Sequence, residues 1–139
     1  MLRDAVSGQR AVVVQNGPVE RSDLTRWVDG YLAAWASNDP ERIAALFTDD
    51  AVYLPEPYAH GWQGVAAIVA GWLARKDEPG SFTFRWEPVA VEGDVAVIRG
   101  ETRYLDPPAV YSNVWVIAFG PGGRCREFRE WWMIAPAAG

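Results

Sequence analysis

The sequence has little of what metal and disulfide chemistry require. Its 139 residues contain one cysteine, Cys125, and one histidine, His60. A single cysteine permits no internal disulfide, and one Cys with one His leaves no zinc set. Separately, neither a metal nor another cofactor is expected. Lysine occurs once, at Lys76, and the 13 Lys plus Arg are outnumbered by 18 Asp plus Glu for a net charge of −5. An acidic chain without clustered cations lacks the electrostatic footprint of a nucleic-acid binder. Long apolar runs are missing too. The longest uncharged stretches, Pro57 to Ala74 and Pro107 to Gly123, are broken by Pro, Gly, Gln, Asn or Ser, which argues against a membrane partner. Met1-Leu2-Arg3-Asp4 carries charge at once, and the longest early apolar run, Ala11 to Val14, is too short for a signal peptide, so a cytoplasmic location is expected.

Rings, by contrast, are abundant. There are 8 Trp, 5 Tyr and 5 Phe in a chain that is 50% hydrophobic and 22% charged, which is globular composition with an aromatic surplus. A core of this size can be built from Leu, Ile and Val, and large rings are seldom fully buried. The surplus points to an aromatic-walled cavity or interface.

Periodicity divides the chain. Residues 1–20 lack it and contain Asn16-Gly17-Pro18, reading as a weakly ordered arm or one lying on a partner; residues 21–139 read as one domain. Ser22 can cap a helix whose apolar positions Leu24, Trp27, Val28, Tyr31, Leu32 and Trp35 form one stripe. Asp39-Pro40 starts a short second helix through Ile43, Leu46 and Phe47, and Ala51 to Leu54 reads as a strand. Val65, Ile68, Val69, Trp72 and Leu73 mark a third helix that stops near Lys76-Asp77-Glu78-Pro79-Gly80. Four strands follow: Phe82 to Val91, Val95 to Leu105, Tyr111 to Phe119 and Arg124 to Ile134, separated by Glu92-Gly93-Asp94, Asp106-Pro107-Pro108 and Gly120-Pro121-Gly122-Gly123. The order ααβαββββ predicts an α+β fold in which three N-terminal helices cover one face of a curved antiparallel sheet.

Three segments carry a resemblance. Tyr31-Leu32-Ala33-Ala34-Trp35 with Asn38-Asp39, then Ala45-Leu46-Phe47-Thr48-Asp49-Asp50-Ala51-Val52, then Gly64-Val65-Ala66-Ala67-Ile68 resemble, in order and spacing, the nuclear transport factor two-like superfamily and its SnoaL-like and ketosteroid-isomerase-like branch. The resemblance implies a cone-shaped sheet enclosing a hydrophobic pocket, with the outer sheet face used for a homodimer. It also implies where a site would lie. The isomerases' pocket tyrosine falls on Tyr31, but their general-base position falls on Leu54, their protonated aspartic acid on Trp115 and their second tyrosine on Trp72. Proton abstraction beside a carbonyl needs a base within reach, so a ketosteroid isomerase is excluded. The cyclase-like members carry an acid on the last strand. Aligned on Gly123-Arg124-Cys125-Arg126-Glu127-Phe128-Arg129-Glu130, that acid falls on Glu130, and the histidine before it becomes Phe128.

Strand alternation puts Phe128, Glu130 and Trp132 on one face, and Asn113 with Trp115 on one face of the preceding strand. Glu130 has two readings: an acid or base raised in pKa among large rings, or a surface ion pair with Arg99 or Arg103. Tyr31 and Trp35 lie one turn apart and either line the pocket together or belong to plain core. Asn113 is a ligand contact or an ordinary strand-end amide. His60, in the loop from Pro55 that also holds Tyr58, is a second proton carrier or a solvated loop residue. The catalytic candidates are thus Glu130, Tyr31 and His60; the ligand-binding candidates are Trp35, Tyr53, Leu54, Tyr58, Trp72, Asn113, Trp115, Phe128 and Trp132. Two functions fit. One is a cofactor-free isomerase, cyclase or dehydratase acting on a small apolar or aromatic molecule; the other is a module that binds such a ligand or dimerises without chemistry.

Overall fold

The computed structural model describes residues 18–136. The expected N-terminal arm lies outside the described residues as far as residue 17. Just beyond, Val19 is buried and its N–H donates to the Gly93 carbonyl at 2.8 Å. Helix α1 (Arg21–Ser37) then starts without Ser22 as its cap. Glu20 caps it instead: its side chain accepts from the Asp23 backbone while the Glu20 N–H donates to Asp23 Oδ2 at 2.9 Å, which satisfies two otherwise orphaned donors. The helix ends at Asn38, whose φ of 55° is the left-handed conformation that stops helices. Helix α2 (Pro40–Ala44) begins as the Asp39-Pro40 pair predicts, with Asp39 Oδ1 accepting from the Glu41 N–H at 2.9 Å.

Strand β1 (Phe47–Leu54) begins at Phe47 rather than Ala51. Its polar stretch Thr48-Asp49-Asp50 masks the alternation from which a strand is read, although Phe47 and Ala51 are both buried. The two-residue strand β2 (Trp62–Gln63) was not expected; it pairs antiparallel with Val52 and Tyr53. Helix α3 (Val65–Ala74) follows, then β3 (Phe82–Glu92), β4 (Val95–Leu105), β5 (Pro108–Phe119) and β6 (Cys125–Ile134). The sheet order is β2-β1-β6-β5-β4-β3.

One pairing within this largely antiparallel sheet is parallel: β1 and β6 run in the same sense, with Tyr53 opposite Phe128 and Leu54 opposite Arg129. Three successive antiparallel reversals from β3 set the direction of β6, and the helices deliver β1 beside it in that same sense. Three helices thus cover a curved, unclosed six-stranded sheet. The core lies between them and consists of α1 residues Leu24, Trp27, Val28, Tyr31 and Ala34 against Ile98, Trp115, Ile117 and Phe128 of the sheet. Leu32 and Trp35, the outer members of the helical stripe, are half-buried at its margin. The outer sheet face is charged, as the alternation of Arg99, Glu101 and Arg103 implies: Arg85 and Arg103 share Glu101, and Arg99 pairs with Glu87. Gly71 matters to this packing because a Cβ there would overlap the Trp62 indole, which rests directly on the α3 backbone. Among the described residues no helix is long and apolar enough to cross a membrane.

Candidate active site

Where the inner faces of β4, β5 and β6 diverge from the helices, a cavity of about 520 Å³ opens. Tyr31 and Trp35 reach it from α1, Tyr53 from β1, Trp72 from α3, Thr102 and Tyr104 from β4, Tyr111, Asn113 and Trp115 from β5, and Glu130 and Trp132 from β6. The wall is a continuous ring assembly. Tyr31 lies 4.5 Å from Trp115 and 4.9 Å from Trp72, centroid to centroid, and Phe84 stacks on Trp115 at 5.0 Å. Such offset and tilted arrangements match the quadrupoles of the rings. The Tyr31 and Tyr53 hydroxyls meet at 2.7 Å, and burial pushes both phenols well above their ordinary pKa, Glu130 adding to the effect in each.

Glu130 is one of three carboxyl groups that line this cavity, with Asp77 and Asp106. Among the described residues it forms no ion pair: Arg99 is held by Glu87 and Arg103 by Glu101. Its partner is Asn113, whose Nδ2 donates to Glu130 Oε2 at 2.6 Å. The amide is oriented in turn by Thr102, whose Oγ1 donates to Asn113 Oδ1 at 2.9 Å. Thr102 and Asn113 are both buried, so this relay is shielded from water. Burial raises the Glu130 carboxyl from 4.5 to about 7, against the smaller lowering effects of the Asn113 hydrogen bond, the Trp115 side chain and the Arg75 charge. The Trp115 N–H itself finds no acceptor at hydrogen-bonding geometry: it is a buried donor beside the acid rather than bonded to it. Glu130 Oε1 accepts no hydrogen bond among the described residues. A carboxyl poised near neutrality, with one oxygen clamped and one unengaged, can accept or donate a proton.

A second network frames the mouth. Asp77 Oδ2 accepts from Trp35 Nε1 at 2.9 Å and from the Tyr104 hydroxyl at 3.0 Å, and the Asp77 carbonyl accepts from Asn38 Nδ2 at 2.9 Å. Asn38 Oδ1 accepts from Trp72 Nε1 at 3.3 Å, so one loop residue and one helix cap fix the orientation of three rings. Burial, then Asp77, raises the Tyr104 phenol.

The structure gathers eight of the sequence candidates into the wall: Tyr31, Trp35, Tyr53, Trp72, Asn113, Trp115, Glu130 and Trp132. The other four stand elsewhere. Phe128 is fully buried behind the wall, stacked on Tyr53 at 4.6 Å. Leu54 and Tyr58 line a separate hollow of about 60 Å³ at the end of β1, beside Arg129 and Trp131 of β6, where Tyr58 is fully exposed. His60 is exposed and lines neither space, which favours the solvated of its two readings. The loop that holds Tyr58 and His60 is irregular and its side-chain directions follow no period. Sequence reasoning missed Thr102, Asp77, Tyr104 and Arg75. Thr102 shares an inner face with Tyr104, which alternation could have signalled; Asp77 and Arg75 lie at a helix end and gave no signal. Among the described residues no group of three or more His, Cys, Asp or Glu side chains is placed to hold a metal ion.

A helix-covered, curved, unclosed sheet around an aromatic cavity defines the α+β cone class of nuclear transport factor two-like proteins. Within that class the chain belongs to the SnoaL-like domain family, whose pattern it matches over residues 28–133. An NTF2-like protein of unknown function from Mesorhizobium loti is similar at 21% identity, covering 84% of this chain and 96% of that one with a TM-score of 0.63. A candidate polyketide cyclase from Sinorhizobium meliloti shares 27% identity over 81% of this chain and 99% of its own, with a TM-score of 0.56. An LEH-like epoxide hydrolase from M. tuberculosis shares 16% over 81% and 84%, with a TM-score of 0.61. Comparison with the curated proteins finds no match.

Proposed function

We propose that the protein is a cofactor-free acid–base enzyme that isomerises, cyclises or dehydrates a small, largely apolar or aromatic molecule, with Glu130 as the proton carrier. The observation behind this reading is the Glu130 environment: a carboxyl facing the cavity without an arginine partner, clamped through one oxygen by a buried Thr102–Asn113 relay. In the proposed reaction Glu130 Oε1 removes a proton from a carbon beside a carbonyl and returns it at another position. The Tyr31–Tyr53 hydroxyl pair and the unpartnered Trp115 N–H supply donors for charge developing on the substrate oxygen. The likeness to a candidate polyketide cyclase is consistent with chemistry of this kind. A homodimer through the outer sheet face completes the reading; Trp131 and Met133, exposed beside Val114 on that face, support it.

Proton exchange at the α-carbon of 2-tetralone in deuterium oxide, followed by NMR, tests the mechanism. Wild type should accelerate deuteration, with a pH dependence centred on about 7. E130Q should lose a factor of about 10² to 10⁴. Equal rates in wild type and E130Q would refute the role of Glu130, and ketone binding without any acceleration in wild type would favour the non-catalytic binding module.

A further inference from the structure

Most arginines of the described chain are engaged by carboxylates on the outside of the molecule, as Arg85 and Arg103 are by Glu101 and Arg129 is by Glu127. Arg75 and Lys76, just past the end of α3, differ: they are the cations that line the cavity. Among the described residues Lys76 forms no ion pair or hydrogen bond. Among the described residues the one carboxylate ion-paired with Arg75 is Glu56, at 3.8 Å with both side chains well exposed, a geometry that contributes little.

Arg75 is nevertheless held in place. Its guanidinium carbon lies 5.9 Å from the centre of the Trp62 ring, and Trp62 stacks on Tyr53 at 4.9 Å, so the cation is seated on the cavity's own aromatic wall. The chain just beyond it is pinned where Asn38 Nδ2 donates to the Asp77 carbonyl. Three carboxyl groups also line the space and would oppose an anion. Asp77 is already engaged by Trp35 and Tyr104, and burial favours the neutral form of Glu130, which leaves Asp106 on the β4–β5 turn as the unengaged negative charge. Arg75, loosely paired with exposed Glu56, and the unpaired Lys76 against one such carboxylate leave the mouth favourable to an anionic group.

We propose that the cavity mouth is a carboxylate-binding subsite, in which Arg75 and Lys76 hold the acid group of a small aromatic or alicyclic carboxylic acid whose apolar body lies against Tyr31, Trp35 and Trp72. The guanidinium supplies paired donors that match a carboxylate, and the ammonium a mobile point charge. This rests on reading the cavity as the site of a small apolar or aromatic ligand, and it does not depend on Glu130 performing chemistry.

Binding of 2-naphthoate and of its neutral counterpart 2-naphthamide, measured by tryptophan fluorescence at low salt, tests the subsite. Wild type should prefer the naphthoate by about ten-fold or more, and the preference should shrink as salt screens the mouth. R75Q/K76Q should bind the two ligands equally, R75K should retain a preference, and E130Q, which removes a carboxyl and keeps both cations, should prefer the naphthoate at least as strongly as wild type whether or not that variant turns anything over. Because the readout is a ratio within each variant, a general loss of affinity does not mimic the expected result. Equal binding of the two ligands by wild type, no naphthoate binding, or a preference surviving in R75Q/K76Q overturns the proposal.

Discussion

Replacing Glu130 by glutamine should change how stability depends on pH, and the structure sets the size and sign of the change. The folded carboxyl titrates at about 7 and an unperturbed one at 4.5, so its ionised form is disfavoured by the fold. At about 1.4 kcal/mol per pKa unit, that interval corresponds to about 3 kcal/mol. Below pH 4.5 the group is protonated in the folded and the unfolded chain alike, and its contribution is fully present. Between 4.5 and 7 the folded chain retains a proton that the unfolded chain has released, so stability falls as pH rises; above 7 the whole contribution is lost. Glutamine resembles the protonated acid in shape and does not titrate. Urea unfolding of both proteins from pH 4.5 to pH 8.5, followed by far-ultraviolet circular dichroism, isolates the effect as a difference between two otherwise similar curves. The stability of E130Q relative to wild type should rise by about 3 kcal/mol across that range, with most of the change below pH 7. A difference that stays constant within about 0.5 kcal/mol would mean that Glu130 is hydrated in the folded state and that the cavity does not desolvate it.

Two further substitutions probe the surroundings of the acid. Asn113→Ala removes the hydrogen bond that holds the Glu130 carboxyl down, so its pKa should move above about 7, as read by carbon-detected NMR titration, and stability should fall by about 1 to 3 kcal/mol because Thr102 loses its acceptor. Phe128→Ala empties a fully buried position between Tyr31, Tyr53 and Trp115, and denaturant unfolding should show a loss of about 3 to 5 kcal/mol.

The helices were legible because their apolar spacing is local: Leu24, Trp27, Val28 and Tyr31 form a stripe in any context, and Asp39-Pro40 caps α2 through a contact two residues away. The long strands were legible from alternation and from the Gly and Pro turns between them. The start of β1 was not, since Asp49 and Asp50 look like loop while the backbone through them is extended. The parallel pairing of β1 with β6 joins residues about seventy-five positions apart, such as Tyr53 and Phe128, and no local pattern encodes that register. The same distinction governs the site. Glu130, Asn113 and Trp115 lie on regular strands, where facing follows from parity. Asp77 and Arg75 depend on where a helix end meets a distant sheet, and Tyr58 and His60 on a loop whose side-chain directions follow no period.

The last pairing between β1 and β6 joins Leu54 to Arg129, while β5 accompanies β6 as far as Ile134. One strand therefore has two halves of unequal local stability. From Cys125 to Arg129 it lies between neighbours on both sides, and from Glu130 onward it has one. Opening of the outer half breaks a single ladder and leaves the ring cluster behind Phe128 intact, so amide exchange should rise between Arg129 and Trp131 rather than fade evenly along the strand. The candidate acid is thus the first residue of the looser half, anchored by what precedes it, and the mouth of the cavity can breathe without cooperative unfolding of the core.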